Sequence, residues 1–222
     1  MEIRFDEQVA IVTGAGRGLG RSHAIAMASK GAKVVVNDFS GSNEISENAK
    51  SVVQEITSAG GEAIAHGANV ANFDQVQSMV NETIDKWGRV DILVNNAGIL
   101  RDKTFLKMSV EDMREVIDVH LMGSLNCSKA VWEIMREQSY GRIVLTSSSS
   151  GLYGNFGQTN YGAAKMAMVG VMNTLHLEGM KYNIKVNCLA PTAGTAMTDG
   201  LFPEPVFKLM PPESVSPGVV FL

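Results

Sequence analysis

Gln8-Val-Ala-Ile-Val-Thr-Gly-Ala-Gly-Arg-Gly-Leu-Gly20 is the stretch on which the fold turns. Gln8 to Thr13 is apolar enough for a buried strand, Gly14 to Gly20 is a glycine turn, and Arg21 to Lys30 has helical character. Strand, turn and helix in that order present the free N–H groups of a helix N-terminus to a phosphate. A lone GxGxxG is a weak signal. Here Thr13, Gly14, Gly18 and Gly20 stand between a strand and a helix, which is the context the pattern requires.

Working outward, Lys33-Val-Val-Val-Asn-Asp38 reads as a second buried strand with a carboxylate at its C-terminal end. A carboxylate about 20 residues beyond the glycine turn can accept both hydroxyls of an adenosine ribose and repel a 2′-phosphate. Asp38 therefore favours NAD over NADP; a plain strand-end aspartate in a turn fits its distance from Gly20 less well. Ser46 to Ala59 reads as a helix ended by Gly60-Gly61, and Glu62 to Ala68 as a third strand. Asn72 to Trp87 carries Phe73, Val76, Met79, Val80 and Ile84 at helical spacing, and Gly88 stops it. Asp91 to Asn95 is a fourth strand running into Asn96-Ala-Gly98, and Ser109 to Gln138 reads as one long helix. Gly141 to Thr146 is strand five, a helix reaches to about Tyr182, and Ile184 to Ala190 is strand six, closed by Pro191. Strands that alternate with helices and are continuously apolar predict an α/β fold: a doubly wound parallel sheet with helices on both faces, in one domain over residues 1–222. Ligands of such sheets bind beyond the strand C-termini, where Gly14, Asp38, Asn95, Ser148 and Pro191 fall.

At 222 residues, 45% hydrophobic, the chain can bury one sizeable core. A net charge of −4 and no basic cluster argue against a nucleic-acid surface. No apolar run of about 18 residues suits a bilayer, and Met1 to Glu7 lacks a basic and apolar signal sequence. The expectation is a cytoplasmic protein without a membrane partner. Cys127 and Cys188 read as reduced core residues, and the scattered His23, His66, His120 and His176 give no metal site.

The chemistry points to the stretch from Ser148 to Lys165. Tyr161 and Lys165 are four apart and stack on one helix face. Moving a hydride to or from a carbon bearing oxygen also requires a proton taken from, or given to, that oxygen. A free tyrosine, with a pKa of about 10, is a poor base at neutral pH; a nearby ammonium favours the phenolate and is expected to lower that value. Tyr161 is then the acid or base, Lys165 tunes it, and the Ser148 hydroxyl holds the substrate oxygen beside the phenol. Tyr-x-x-x-Lys alone is common as a solvated helix face, and a serine run alone is usually a polar loop; the accompanying motifs shift the reading.

Taken together, Thr13-Gly-x-x-x-Gly-x-Gly20, Asn95-Asn-Ala-Gly98, Ser148 and Tyr161-x-x-x-Lys165 resemble the short-chain dehydrogenase/reductase family over essentially the whole chain. The resemblance implies a Rossmann-type fold and an NAD(P)-dependent enzyme acting on CH–OH groups. It implies a cofactor held by Gly14, Arg17, Gly18, Leu19 and Gly20 at the turn, and by Asp38, Asn69 and Val70 towards the adenosine. Asn95, Ala97, Gly98, Pro191 and Thr195 would complete the cradle, with Thr195 meeting the carboxamide and Lys165 the nicotinamide ribose. Asn69 stands where an aspartate often contacts the adenine. His120 stands where the family usually has a catalytic asparagine, whose backbone carbonyl holds a water near the lysine, so His120 is a further candidate. Val35 to Asp38, Gly98 to Asp102, Val119 to Leu121, Gly151 to Gly157 and Ala190 to Gly194 resemble the (3R)-hydroxyacyl-CoA dehydrogenases of fatty acid metabolism.

The expected activity is NAD-dependent interconversion of a secondary alcohol and a ketone, with a 3-hydroxyacyl-CoA as the expected substrate. The alternatives are an oxoacyl carrier-protein reductase, a sterol-type dehydrogenase, or a dinucleotide-binding regulator without turnover. The intact Ser148, Tyr161 and Lys165 argue against the regulator. Arg101 and Lys103 are candidates for a CoA phosphate, against the commoner case of solvated loop charges. Apolar residues on more than one helix face, Met166, Val169, Val171 and Met172 among them, suggest a homodimer or homotetramer. Met197 to Pro205 stands where the resemblance implies a substrate-covering loop. Pro212 to Leu222 begins like a helix and stops mid-pattern, which suggests a chain shortened before a seventh strand.

Overall fold

The computed structural model describes residues 3–42, 44–198, 200 and 203–222. Among them the sheet has six parallel strands: β1 Val9–Thr13, β2 Lys33–Asn37, β3 Glu62–His66, β4 Ile92–Asn95, β5 Gly141–Thr146 and β6 Ile184–Leu189. Their order is β3-β2-β1-β4-β5-β6, so the winding reverses between β1 and β4 and opens a crevice beyond their C-terminal ends. Val12 lies opposite Val36 on one side and Val94 on the other.

The continuous apolar runs are explained by burial on both faces, since successive side chains point to opposite sides of a strand. Ile11, Val35, Leu93 and Ile143 face one core, with Val76 and Met79 of α3 (Phe73–Trp87), Val131 and Met135 of α5 (Gly123–Gln138) and Met168 of α7 (Thr159–Gly179). Ala10, Val12, Val34, Val36 and Val94 face the other, with Ala24 and Met27 of α1 (Gly18–Ser29), Val52 and Ile56 of α2 (Glu47–Ser58) and Val219 of α9 (Ser216–Phe221).

Local chemistry sets the helix ends. Ser46 and Asn72 cap α2 and α3 by accepting from the backbone N–H groups of Ala49 and Gln75, at 3.0 and 3.1 Å. Gly88 closes α3 at φ 75°, a left-handed conformation that suits glycine. Ser109 and Asp112 form a reciprocal capping box at the start of α4 (Val110–Ile117).

The expected single helix from Ser109 to Gln138 is instead α4, a π-helical turn over Asp118–Met122, and α5. A π turn admits an extra residue per turn, and hydrophobic spacing does not reveal it. Two short helices also lie where no helix was read: α6 (Ser149–Tyr153) and α8 (Glu204–Lys208). Strands β2, β3 and β6 end at Asn37, His66 and Leu189, one or two residues earlier than read. In the proposed covering loop, Asp199, Leu201 and Phe202 lie outside the described residues.

Candidate active site

The glycine turn is fitted against the end of β4. A Cβ at Gly14, which has φ +61°, would lie 2.8 Å from the Ala97 Cα, and one at Gly20 would overlap the Gly14 carbonyl. Thr13 Oγ1 accepts the N–H groups of Asn96 and Ala97, both at 3.0 Å. The Asn96 amide donates to the carbonyls of Thr13 and Gly14 at 2.9 and 3.1 Å. Sequence reasoning gave Asn96 no role; its place directly after a strand C-terminus was the signal available. Asn95 points inward, 4% exposed, and its Nδ2 lies 3.3 Å from Ser128 Oγ, so it braces α5.

Around this turn stand the other expected cofactor residues. Arg17 is extended and exposed before α1, and no side chain caps that helix, which leaves its first N–H groups open to a ligand. Asp38 follows β2 and its Oδ2 accepts from Ser46 Oγ at 2.7 Å; a Cβ at Gly16 would overlap its carboxylate. Thr195 sits over Gly18, its Cγ2 at 3.5 Å from where a Cβ of Gly18 would be. Asn69 is occupied locally, its Oδ1 accepting the Ala71 N–H, and the Val70 carbonyl accepts from Asn126. Leu19 is half-buried in the first turn of α1, and Pro191 stands two residues beyond Leu189, which ends β6. The residues therefore fit a dinucleotide: backbone cleared by missing side chains, an uncapped helix start, and a carboxylate at the next strand end.

Ser148, Tyr161 and Lys165 come together at the ends of β5 and α7. Ser148 precedes α6 and its Oγ accepts the Ser150 N–H at 3.2 Å. Lys165 is 4% exposed; its Nζ donates to the Thr146 carbonyl at 2.6 Å and lies 5.6 Å from the Tyr161 ring centre. Burial lowers the Lys165 pKa to about 7. The Tyr161 phenol moves opposite to expectation. Burial pushes its pKa up, a hydrogen bond with Ser148 pulls it down, and the Asp102 carboxylate pushes it up again. Burial outweighs the stabilisation expected from the neighbouring amine.

His120 lies within the π turn, 2% exposed, with its ring edge-on to Tyr161 at 5.1 Å between centres. Its Nε2 lies 2.8 Å from the Ile99 carbonyl and 3.1 Å from the Ile99 N–H, so either tautomer finds a partner there, and Nδ1 is buried without one. The imidazole also explains Gly98, since a Cβ there would overlap the ring. Burial and the nearby Lys165 hold the His120 pKa down at about 3. Its carbonyl accepts from Ser124 Oγ at 2.7 Å.

Arg101 and Lys103 are engaged elsewhere: Arg101 grips Glu115 at 2.8 and 2.9 Å, and Lys103 pairs with Asp112 at 2.7 Å. A cavity of about 700 Å³ is lined by α1 and α9 residues such as Ile25 and Val220, and Tyr161 is not among its lining residues. Among the described residues no group of three His, Cys, Asp or Glu side chains could hold a metal ion.

A parallel sheet with a dinucleotide cradle at its reversal point, and a tyrosine, lysine and serine beside it, defines a nicotinamide-dependent oxidoreductase acting on CH–OH groups. The chain belongs to the short-chain dehydrogenase family, whose model matches residues 8–205. It is 48% identical, over its full length, to the peroxisomal multifunctional enzyme type 2 of Drosophila melanogaster, of which it spans 37%. It is 50% identical to a putative short-chain type dehydrogenase/reductase of Mycobacterium tuberculosis, covering 97% of this chain and 77% of the other. Among solved structures it is similar to a 7α-hydroxysteroid dehydrogenase complexed with NADH and 7-oxo glycochenodeoxycholic acid. That match has a TM-score of 0.90 and 29% identity, over 99% of this chain and 88% of the other.

Proposed function

We propose that the chain interconverts the secondary alcohol and the ketone of a 3-hydroxyacyl thioester, with NAD rather than NADP. The observation that carries the reading is Tyr161, one helical turn from Lys165 and close enough to Ser148 for that hydroxyl to lower its pKa, beside the dinucleotide cradle. A nicotinamide bound there supplies the hydride acceptor or donor. Ser148 and the phenol hold the substrate oxygen from two sides. In the reducing direction Tyr161 gives its proton to that oxygen; in the oxidising direction the phenolate removes it. Lys165, anchored on the Thr146 carbonyl, has two N–H bonds left for the phenol and a ribose hydroxyl. His120 stays neutral and shapes the wall behind Tyr161.

Asp38, fixed by Ser46, supports the NAD preference, since its charge opposes a 2′-phosphate. The hydroxyacyl thioester rests on the resemblance of stretches such as Gly98 to Asp102 and Gly151 to Gly157 to the (3R)-hydroxyacyl-CoA dehydrogenases. A homodimer or homotetramer fits the apolar Met166, Leu177 and Met180, which α7 and the turn after it expose. No described helix is long and apolar enough to cross a membrane, and we propose an aqueous compartment, cytoplasm or peroxisome. The test is formation of reduced cofactor from (3R)- and (3S)-hydroxyacyl-CoAs and simple alcohols, with NAD and NADP in parallel. The reading expects the highest kcat/KM for a hydroxyacyl-CoA with NAD; a preference for NADP, or no hydroxyacyl turnover, contradicts it.

A further inference from the structure

The first turn of α7, which carries Tyr161, is capped in an unusual way. Its first intrahelical bond runs from the Gly162 N–H to the Gln158 carbonyl at 2.7 Å, so the Tyr161 N–H belongs to the helix-start groups without a partner inside the helix. Gln158 stands at the N-cap position but caps nothing: its amide donates to Asp102 at 2.7 Å and accepts from Asn155 at 3.0 Å. Asn160 takes over that task. Its Oδ1 accepts the Tyr161 N–H at 2.8 Å, while its Nδ2 donates to the carbonyls of Arg101 at 3.2 Å and of Asp112, on α4, at 3.4 Å. One flank offers two carbonyls and the other an N–H, so only one orientation of the amide satisfies all three. Asn160 is buried, and a bond lost there is not made good by bulk water. The loop that it grips also reaches the Tyr161 ring. Ile99 meets His120 Nε2, and the His120 ring stands edge-on to the tyrosine ring. Tyr161 is thus held by Asn160 at its backbone and by His120 at its ring, and both are fastened to residues 99–101, just beyond Gly98 of the cradle.

We infer that Asn160 is a positioning residue for proton transfer: by tying the first turn of α7 to the loop after β4 and to α4, it fixes where the Tyr161 phenol stands relative to Ser148 and Lys165. This rests on Tyr161 as the acid or base, as proposed above. None of the three bonds of Asn160 goes to Ser148, Lys165 or the phenol itself, so it acts through the backbone of its neighbour. Reacting groups have to be aligned closely, and a misplacement of about 1 Å costs roughly tenfold to hundredfold in rate.

The experiment is a double-mutant cycle on kcat for the oxidation of 3-hydroxybutyryl-CoA with NAD, using the wild type, Asn160→Ala, Tyr161→Phe and the variant with both substitutions. NADH affinity and Tm are measured on the same samples. Asn160→Ala should lower kcat by about tenfold to hundredfold while NADH affinity stays within about twofold of the wild type. Added to Tyr161→Phe, it should lower kcat no further, because the group it positions is gone. Asn160→Asp keeps an acceptor for the Tyr161 N–H but, in its charged form, loses both donors, and should be impaired like the alanine variant. If Asn160→Ala does not fold, Asn160→Ser takes its place in the cycle, since a single O–H serves only one of the two carbonyls. A native kcat in the folded Asn160 variants overturns the inference. So does an equal fractional loss in the tyrosine and phenylalanine backgrounds, which is the mark of a merely structural residue. Near-native kcat in Tyr161→Phe overturns the assignment of the phenol, and the positioning role with it. No oxidation of 3-hydroxybutyryl-CoA by the wild type contradicts the substrate reading alone, and the same cycle on a simple secondary alcohol then decides the part played by Asn160.

Discussion

Lys165 and Tyr161 are both set by burial, in opposite electrostatic senses. Desolvation disfavours the charged form of each, which lowers the amine and raises the phenol. The spacing of the pair was legible in the sequence, but the sign of the phenol's shift was not, because burial is a property of the packed site. The pH behaviour follows. With its pKa raised above the ordinary 10.0, the phenol keeps its proton through neutrality. Reduction should therefore hold constant there, while oxidation, which needs the phenolate, should climb as pH rises; pH profiles of kcat/KM in both directions check this. Lys165 also carries a stability cost. Its folded pKa of about 7 lies below the ordinary 10.5, so between those values the unfolded chain binds more protons. Its contribution to stability is then complete above pH 10.5 and lost as pH falls to about 7. Lys165→Met should raise Tm at neutral pH while reducing turnover at least about a hundredfold, and should flatten the rise in stability on the alkaline side. A lower Tm at neutral pH would contradict this account of the buried amine.

At the scale of elements, caps and stops were readable because single side chains make them: Ser46, Asn72 and Gly88 end helices where their chemistry requires. The π turn was not readable, since Met113, Val116, Ile117 and Leu121 keep a helical spacing up to and into the insertion. That insertion sets His120 against Ile99 and Tyr161. His120→Asn should lose ring packing and destabilise the chain by about 1–3 kcal/mol. It should keep turnover within about tenfold, because Nδ1 has no partner and the His120 carbonyl is supplied by the backbone. Thermal melts and kcat together check it; a loss above about a hundredfold at unchanged Tm would give the imidazole a direct part in the chemistry. The glycine turn was legible as a pattern, but the packing of Gly20 against the Gly14 carbonyl and of Asn96 beneath it appears only in three dimensions. Gly20→Ala should cost about 1–3 kcal/mol and weaken NADH binding, measured by fluorescence titration.

Across the whole molecule, the parallel sheet was legible because a strand buried on both faces has no polar alternation to disguise it. The clamp between distant elements was not: His23 of α1 is buried with its Nδ1 2.9 Å from Ser216 Oγ of α9, and no local pattern announces that contact. Burial holds His23 at about 4 and His120 at about 3, both below the ordinary 6.5. The unfolded chain takes up those protons first, so stability should fall as pH drops from 6.5 towards 4. His23→Gln should soften that loss in acid unfolding monitored by circular dichroism. The sheet, the cradle and the clamped helices together serve to hold one phenol beside one bound cofactor. The most direct measurement of that claim is kcat for 3-hydroxyacyl-CoA oxidation in Tyr161→Phe, with NADH binding measured on the same samples. A fall in kcat of about 10²–10⁴-fold with NADH affinity nearly unchanged is the predicted result; near-native kcat in the phenylalanine variant would contradict it.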